Sequence, residues 1–221
     1  MLSPTSPALL GVLIYEGVEP IDLGGTVGVV SMARRVLPNV QSTVIARQAG
    51  PVRLAGGLTV HADHGIASAP PCDVVIVCGG PGWPEAAADP ALLGFLRGLP
   101  PERVVSVCTG ALILAAAGLL DGRTATTRRH AVSRETVAPL DRLAGLVAAK
   151  AGGGTIQPRV AAVVDDTVVT GGGVSLAIDT TLYLLGRLYG AAAAAEIAQV
   201  LEYDRAWAAN RDALGVVIAP P

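Results

Sequence analysis

Arg103-Val-Val-Ser-Val-Cys108-Thr109-Gly110-Ala-Leu-Ile-Leu is the stretch from which the fold is read. An apolar, strand-like run stops at a cysteine, and an apolar helical pattern begins at the next glycine. The segment therefore reads as a strand-to-helix turn with a thiol at its corner. The first N–H groups of a helix lack intrahelical partners, and with the positive end of the helix dipole they favour thiolate over thiol. Cys108 is thus a candidate nucleophile; the competing reading is a small buried apolar side chain, the common state of a free cysteine. The flanks, Ser106-Val107-Cys108-Thr109-Gly110, lack the G-x-S-x-G spacing of serine hydrolases, so only the nucleophile-elbow topology is shared.

Upstream of the corner, Cys72-Asp-Val-Val-Ile-Val-Cys78 is another buried strand, and it runs into Gly79-Gly80-Pro81-Gly82. Glycines after a strand let backbone N–H groups approach a ligand, or simply make a tight turn. Pro84 opens a helix expected to continue to Gly98-Leu99-Pro100. Nearer the N-terminus, Ala8-Leu-Leu-Gly-Val-Leu-Ile-Tyr15 has the unbroken apolar character of a parallel strand covered on both faces. Asp22 stands at the start of a helix reaching about Arg35, where a carboxylate caps free N–H groups. Residues 42–47 read as a strand, and residues 51–61, with Gly56-Gly57 inside, as a hairpin on the sheet's edge.

Downstream, Ala111-Leu-Ile-Leu-Ala-Ala-Ala-Gly118 is apolar all round, as in a fully buried helix. Residues 123–127 suggest a short strand, Ser133 the start of a helix that stops before Pro139, and Gly152-Gly153-Gly154 a loop. Residues 159–165 and 167–170 suggest a hairpin around Asp165-Asp166. Helices follow over residues 174–189 and 191–203, then a polar tail. The alternation predicts an α/β fold with a mostly parallel, doubly wound sheet. At 221 residues, residues 1–221 are expected to form a single domain.

Composition narrows the function. Apolar residues make up 51% and charged residues 15%, a sparsely charged surface that burial in a homodimer would reconcile with solubility. A net charge of −2, with no basic run beyond Arg128-Arg129, disfavours nucleic-acid binding. The three cysteines, at 72, 78 and 108, have neither disulfide-framework nor zinc spacing, which fits a reducing cytoplasm. His61 and His64 lack further ligands and read as surface histidines, so no metal is expected. The apolar run at residues 8–15 is too short to span a bilayer.

The run from Ser106 to Thr127, Ser-Val-Cys-Thr-Gly-Ala-Leu-Ile-Leu-Ala-Ala-Ala-Gly-Leu-Leu-Asp-Gly-Arg-Thr-Ala-Thr-Thr, resembles the DJ-1/PfpI superfamily. The likeness is closest to its isonitrile hydratase branch and to the amidotransferase-like domain of AraC-type regulators. It extends to Tyr15-Glu-Gly-Val-Glu-Pro-Ile-Asp22-Leu23, to Gly79-Gly80-Pro81-Gly82, to Val169-Thr-Gly-Gly-Gly-Val-Ser-Leu-Ala-Ile-Asp179 and to Leu201-Glu-Tyr203. The resemblance implies a flavodoxin-like three-layer sandwich, usually homodimeric, with Cys108 as nucleophile and no cofactor. It further implies Asp22 as general acid/base beside the thiol, a Thr109 hydroxyl close to the site, and Gly79 and Gly80 N–H groups binding developing charge. The reaction implied is addition of water to an isonitrile, a small-molecule substrate, to give a formamide. The alternatives are a non-enzymatic small-molecule or redox sensor and a glyoxalase-like thiol hydrolase using a glutamate such as Glu16. Too few residues follow Tyr203 for a helix-turn-helix domain, so this chain is not expected to bind DNA directly. The chain departs from the family pattern at Gly24-Gly25-Thr26, at Arg128-Arg129, where the family usually has His-Trp, and in a longer segment between Pro139 and Val163.

Overall fold

Leu10, Val12, Leu13 and Ile14 are fully buried, so the first apolar run becomes a strand covered on both faces. In the computed structural model, which describes residues 1–132, 135–149, 154–165 and 168–219, this strand is β1 (Ala8–Leu13). It is followed by α1 (Pro20–Ala33), β2 (Val40–Ala46), β3 (Gly50–Arg53), β4 (Thr59–Ala62), β5 (His64–Gly65) and β6 (Val74–Val77). Next come α2 (Trp83–Ala88), α3 (Pro90–Arg97), β7 (Val104–Ser106), α4 (Gly110–Ala116), β8 (Thr124–Ala125), α5 (Pro139–Ala148) and β9 (Thr155–Ile156). The chain closes with β10 (Ala162–Asp165), β11 (Val168–Gly171), α6 (Leu176–Tyr189), α7 (Ala191–Val200), α8 (Asp204–Ala213) and β12 (Val216–Ala219).

The main sheet has the order β12-β10-β11-β7-β6-β1-β2-β5. Neighbours are parallel except β10 with β11, which form the expected hairpin. Helices α1, α6 and α7 pack together, and so do α2 to α5, completing the three layers. The central strands β2-β1-β6-β7-β11 follow the flavodoxin-like order, whose winding reverses between β1 and β6. The loops leaving β1, β6, β7 and β11 therefore gather at one end of the sheet, where α/β folds bind ligands.

Several local expectations are corrected. The helix expected from Pro84 to Gly98 is broken at Asp89, which is extended (φ −80°, ψ 109°). Proline at 90 disfavours helical backbone in the residue before it, and the Asp89 carboxylate then accepts the N–H groups of Ala91 and Leu92 as the cap of α3. The hairpin β3–β4 is a separate two-stranded sheet rather than an edge of the main one. Pro139 starts a helix instead of following one, a position where its missing N–H costs nothing. Ser133, Gly152, Gly153 and Asp166 lie outside the described residues. The polar tail is α8 and β12: Trp207 packs on the core, and Val216 to Ala219 pair with β10.

Candidate active site

Val107 hydrogen-bonds to β6 and the chain turns sharply at Cys108, whose φ of 53° lies in the left-handed region that non-glycine residues rarely occupy. Such strain persists only where surroundings over-determine it. Here the Cys108 N–H donates to the Gly172 carbonyl (3.0 Å) and its carbonyl accepts the Thr127 hydroxyl (2.6 Å). Gly110 is demanded by the same turn, since a Cβ there would lie 2.2 Å from the Val77 carbonyl oxygen.

The backbone N–H groups of Thr109 and Val174 lie near the sulfur, and both favour thiolate. Val174 is itself held at φ 59°, costly for a β-branched residue. Sequence reading passed over this donor. The signal for it was the Gly171-Gly172-Gly173 run, which brings the loop after β11 onto the elbow.

Asp22 sits in the first turn of α1 but does not cap it. The cap position is Glu19, and the Asp22 side chain turns inward, where Oδ2 accepts the Gly79 N–H (3.1 Å). It also meets the Cys108 thiol. Its other oxygen, Oδ1, is buried without a hydrogen-bond partner among the described residues. Burial holds the Asp22 carboxyl up at about 7, against the opposing hydrogen bonds from Cys108 and Gly79. Glu19 raises it further and Arg128 lowers it.

The elbow alone predicts a thiolate at rest; burial and the neighbouring carboxylate reverse this. Cys108 is 3% exposed, and desolvation, reinforced by Asp22, pushes its thiol up to about 12 despite the two N–H donors. The pair thus loses its first proton near neutrality. A thiolate arises when the remaining proton moves from sulfur to Asp22.

Gly79 and Gly80 stand beside the pair, but their N–H groups are not open to a ligand. Gly79 N–H is committed to Asp22, and Gly80 N–H donates to the Thr109 hydroxyl (2.9 Å), which returns a bond to the Gly80 carbonyl (3.3 Å). The expected charge-binding turn is therefore a clamp that positions Asp22 and Thr109, because the side chains of α1 and the elbow reach the glycines before any substrate can. The N–H groups aimed at the sulfur are those of Thr109 and Val174. Tyr15, also buried, closes the floor by donating to the Cys78 carbonyl (3.0 Å).

The departures from the family pattern have structural consequences. Gly25 lies against α6, where a Cβ would be 3.0 Å from Ala177 Cβ, and the Thr26 hydroxyl donates to the Asp22 carbonyl (2.9 Å). Arg128 packs over Gly173 and pairs with Glu135, while His130 is exposed. Glu16 accepts the Arg53 N–H (3.1 Å). Arg142, from the longer segment, stacks 5.6 Å over the Trp83 ring. A groove of about 310 Å³ runs there between Pro81, Trp83, Leu112, Glu135, Val137 and Arg142. Among the described residues no three His, Cys, Asp or Glu side chains form a metal site, and no helix is long and apolar enough to cross a membrane.

Residues 10–187 match the DJ-1/PfpI family. The chain is 32% identical to isonitrile hydratase of Pseudomonas putida over 196 residues, 88% of this chain and 78% of that enzyme. It is 28% identical to the HTH-type transcriptional regulator GbdR of Pseudomonas aeruginosa over 204 residues, covering 90% of this chain and 52% of the regulator, so it spans about half the regulator's length. Among solved structures, a ThiJ/PfpI family protein from Pseudomonas syringae superposes with a TM-score of 0.74 at 27% identity, over 90% of this chain and 76% of that one.

Proposed function

The chain belongs to the DJ-1/PfpI family, and from that premise we propose that it adds water to a small isonitrile, with Cys108 as nucleophile and Asp22 as proton carrier. The observation that carries this reading is the buried contact between the Cys108 thiol and an Asp22 carboxyl held at about 7, with a free oxygen on Asp22. A carboxyl tuned to neutrality both gives and takes a proton at working pH. A cysteine only 3% exposed suits a narrow linear group such as the terminal N≡C.

The cycle balances on these two groups. Cys108 thiolate bonds to the terminal carbon, which takes the Asp22 proton and leaves a thioimidate. Asp22 carboxylate then withdraws a proton from water as its oxygen adds to that carbon, and the proton is relayed to nitrogen. The C–S bond breaks as the new hydroxyl returns its proton to Asp22. An N-substituted formamide leaves, and thiolate and carboxylic acid are restored. Thr109 and Val174 N–H groups stabilise the sulfur anion at both ends of the cycle.

Purified protein is expected to convert cyclohexyl isocyanide to N-cyclohexylformamide, measured by chromatography, and Cys108→Ala to abolish the conversion. Wild type that makes no formamide but takes up one oxidant equivalent at Cys108 supports instead the sensing alternative. Arg128 supplies a second test. Because it lowers the Asp22 pKa, Arg128→Gln should move the acidic limb of kcat/KM toward higher pH. A limb that stays in place assigns Arg128 to the Glu135 pair alone.

A further inference from the structure

A second cavity lies away from the Cys108–Asp22 pair. It measures about 510 Å³ and opens between α6, α7, α8 and the strands β10 and β12, with Asp179, Tyr183, Arg187, Trp207 and Arg211 on its walls. That volume is in the range of small-molecule sites. None of the charged groups that act on Cys108 or Asp22 belongs to this wall, so it is electrostatically separate.

Its charges are uncompensated in a complementary way. Asp179 is 3% exposed, yet its partners are neutral: the Tyr203 hydroxyl donates to it at 2.9 Å and the Asn210 amide at 3.1 and 3.2 Å. A buried carboxylate is normally matched by a cation. Arg187 and Arg211 occupy the exposed rim, and neither has an acidic partner among the described residues. Arg211 stacks 4.9 Å over Trp207, and the two share the wall with Tyr183. The remaining wall, Gly186 and Ala194 among it, is small and apolar.

We propose that this cavity binds a small zwitterionic aminocarboxylate with an apolar body, its ammonium on Asp179 and its carboxylate between Arg187 and Arg211. The body lies along Trp207 and Tyr183. Neither an amine nor an acid alone satisfies both ends.

Titration calorimetry on the whole chain tests this with L-phenylalanine, phenethylamine and 3-phenylpropionate as probes. L-phenylalanine is expected to bind at one site, and the two half-ligands about tenfold more weakly or worse. Arg187→Gln should weaken L-phenylalanine about fivefold or more while leaving phenethylamine unchanged. Asp179→Asn should do the converse, sparing 3-phenylpropionate. Should Asp179→Asn fail to fold by circular dichroism, the exposed Arg187→Gln decides alone. Cys108→Ala should bind L-phenylalanine as wild type does. No heat with L-phenylalanine, half-ligands that bind equally well, affinity indifferent to Arg187→Gln, or loss of binding in Cys108→Ala would each overturn the proposal.

Discussion

Asp22→Asn is expected to lower kcat/KM for the isonitrile about 100-fold to 10,000-fold and, at pH 9, to make the protein more stable than wild type. The sign follows from proton binding. The Asp22 carboxyl is held at about 7 in the folded chain against 3.8 when unconstrained, so between those values the folded chain keeps a proton that the unfolded chain releases. The stability linked to that proton is full below the unfolded value and is lost as pH rises through about 7. At alkaline pH the wild type carries a buried carboxylate whose penalty is on the order of 4 kcal/mol. Asparagine cannot ionise, and its carbonyl still accepts the Gly79 N–H. Thermal melts at pH 9 should therefore place Asp22→Asn above wild type, with the difference fading toward pH 4. A wild type that is the more stable at pH 9 would contradict burial as the dominant cause of the raised pKa.

Gly79→Ala should damage both folding and turnover. A Cβ at this position would lie 2.5 Å from Thr109 N, 2.6 Å from Cys108 Cβ and 2.8 Å from Asp22 Oδ2. Two of these contacts are rigid parts of the elbow and the third is the buried Asp22 carboxylate, so none can yield without moving Cys108 or Asp22. Overpacking of this kind costs about 1–3 kcal/mol, and a displacement of about 1 Å at reacting groups costs about 100-fold in rate. Gly28→Ala is the control, because a Cβ there meets nothing within 4 Å; in a helix it should be neutral or slightly stabilising. The comparison is made by melting temperature and formamide production. Near-wild-type values in both for Gly79→Ala would remove the close-approach argument.

Much of the frame was legible because its signals are local. Continuous apolar runs at residues 8–15 and 72–78 became β1 and β6, and the corner at Cys108 became an elbow. The hairpin of β10 and β11 also followed from its two short runs. Legibility failed where a distant partner decided the outcome. Asp22 reads as a helix cap from its neighbours in sequence, but it lies within the first turn of α1, and Gly79, 57 residues away in sequence, supplies its hydrogen bond. Residues after Tyr203 read as a polar tail because α8 turns most of its surface to solvent, and only Trp207 and Asn210 reach inward.

By itself the sequence determined a parallel α/β core with a thiol at a strand-to-helix corner, since periodicity and glycine placement are properties of neighbouring residues. Tertiary structure decided what state that thiol occupies. The helix-end N–H groups favour thiolate, but burial beneath the loops after β1, β6 and β11, together with Asp22, outweighs them. Desolvation and charge proximity depend on residues far apart in the chain, and only folding brings those residues together.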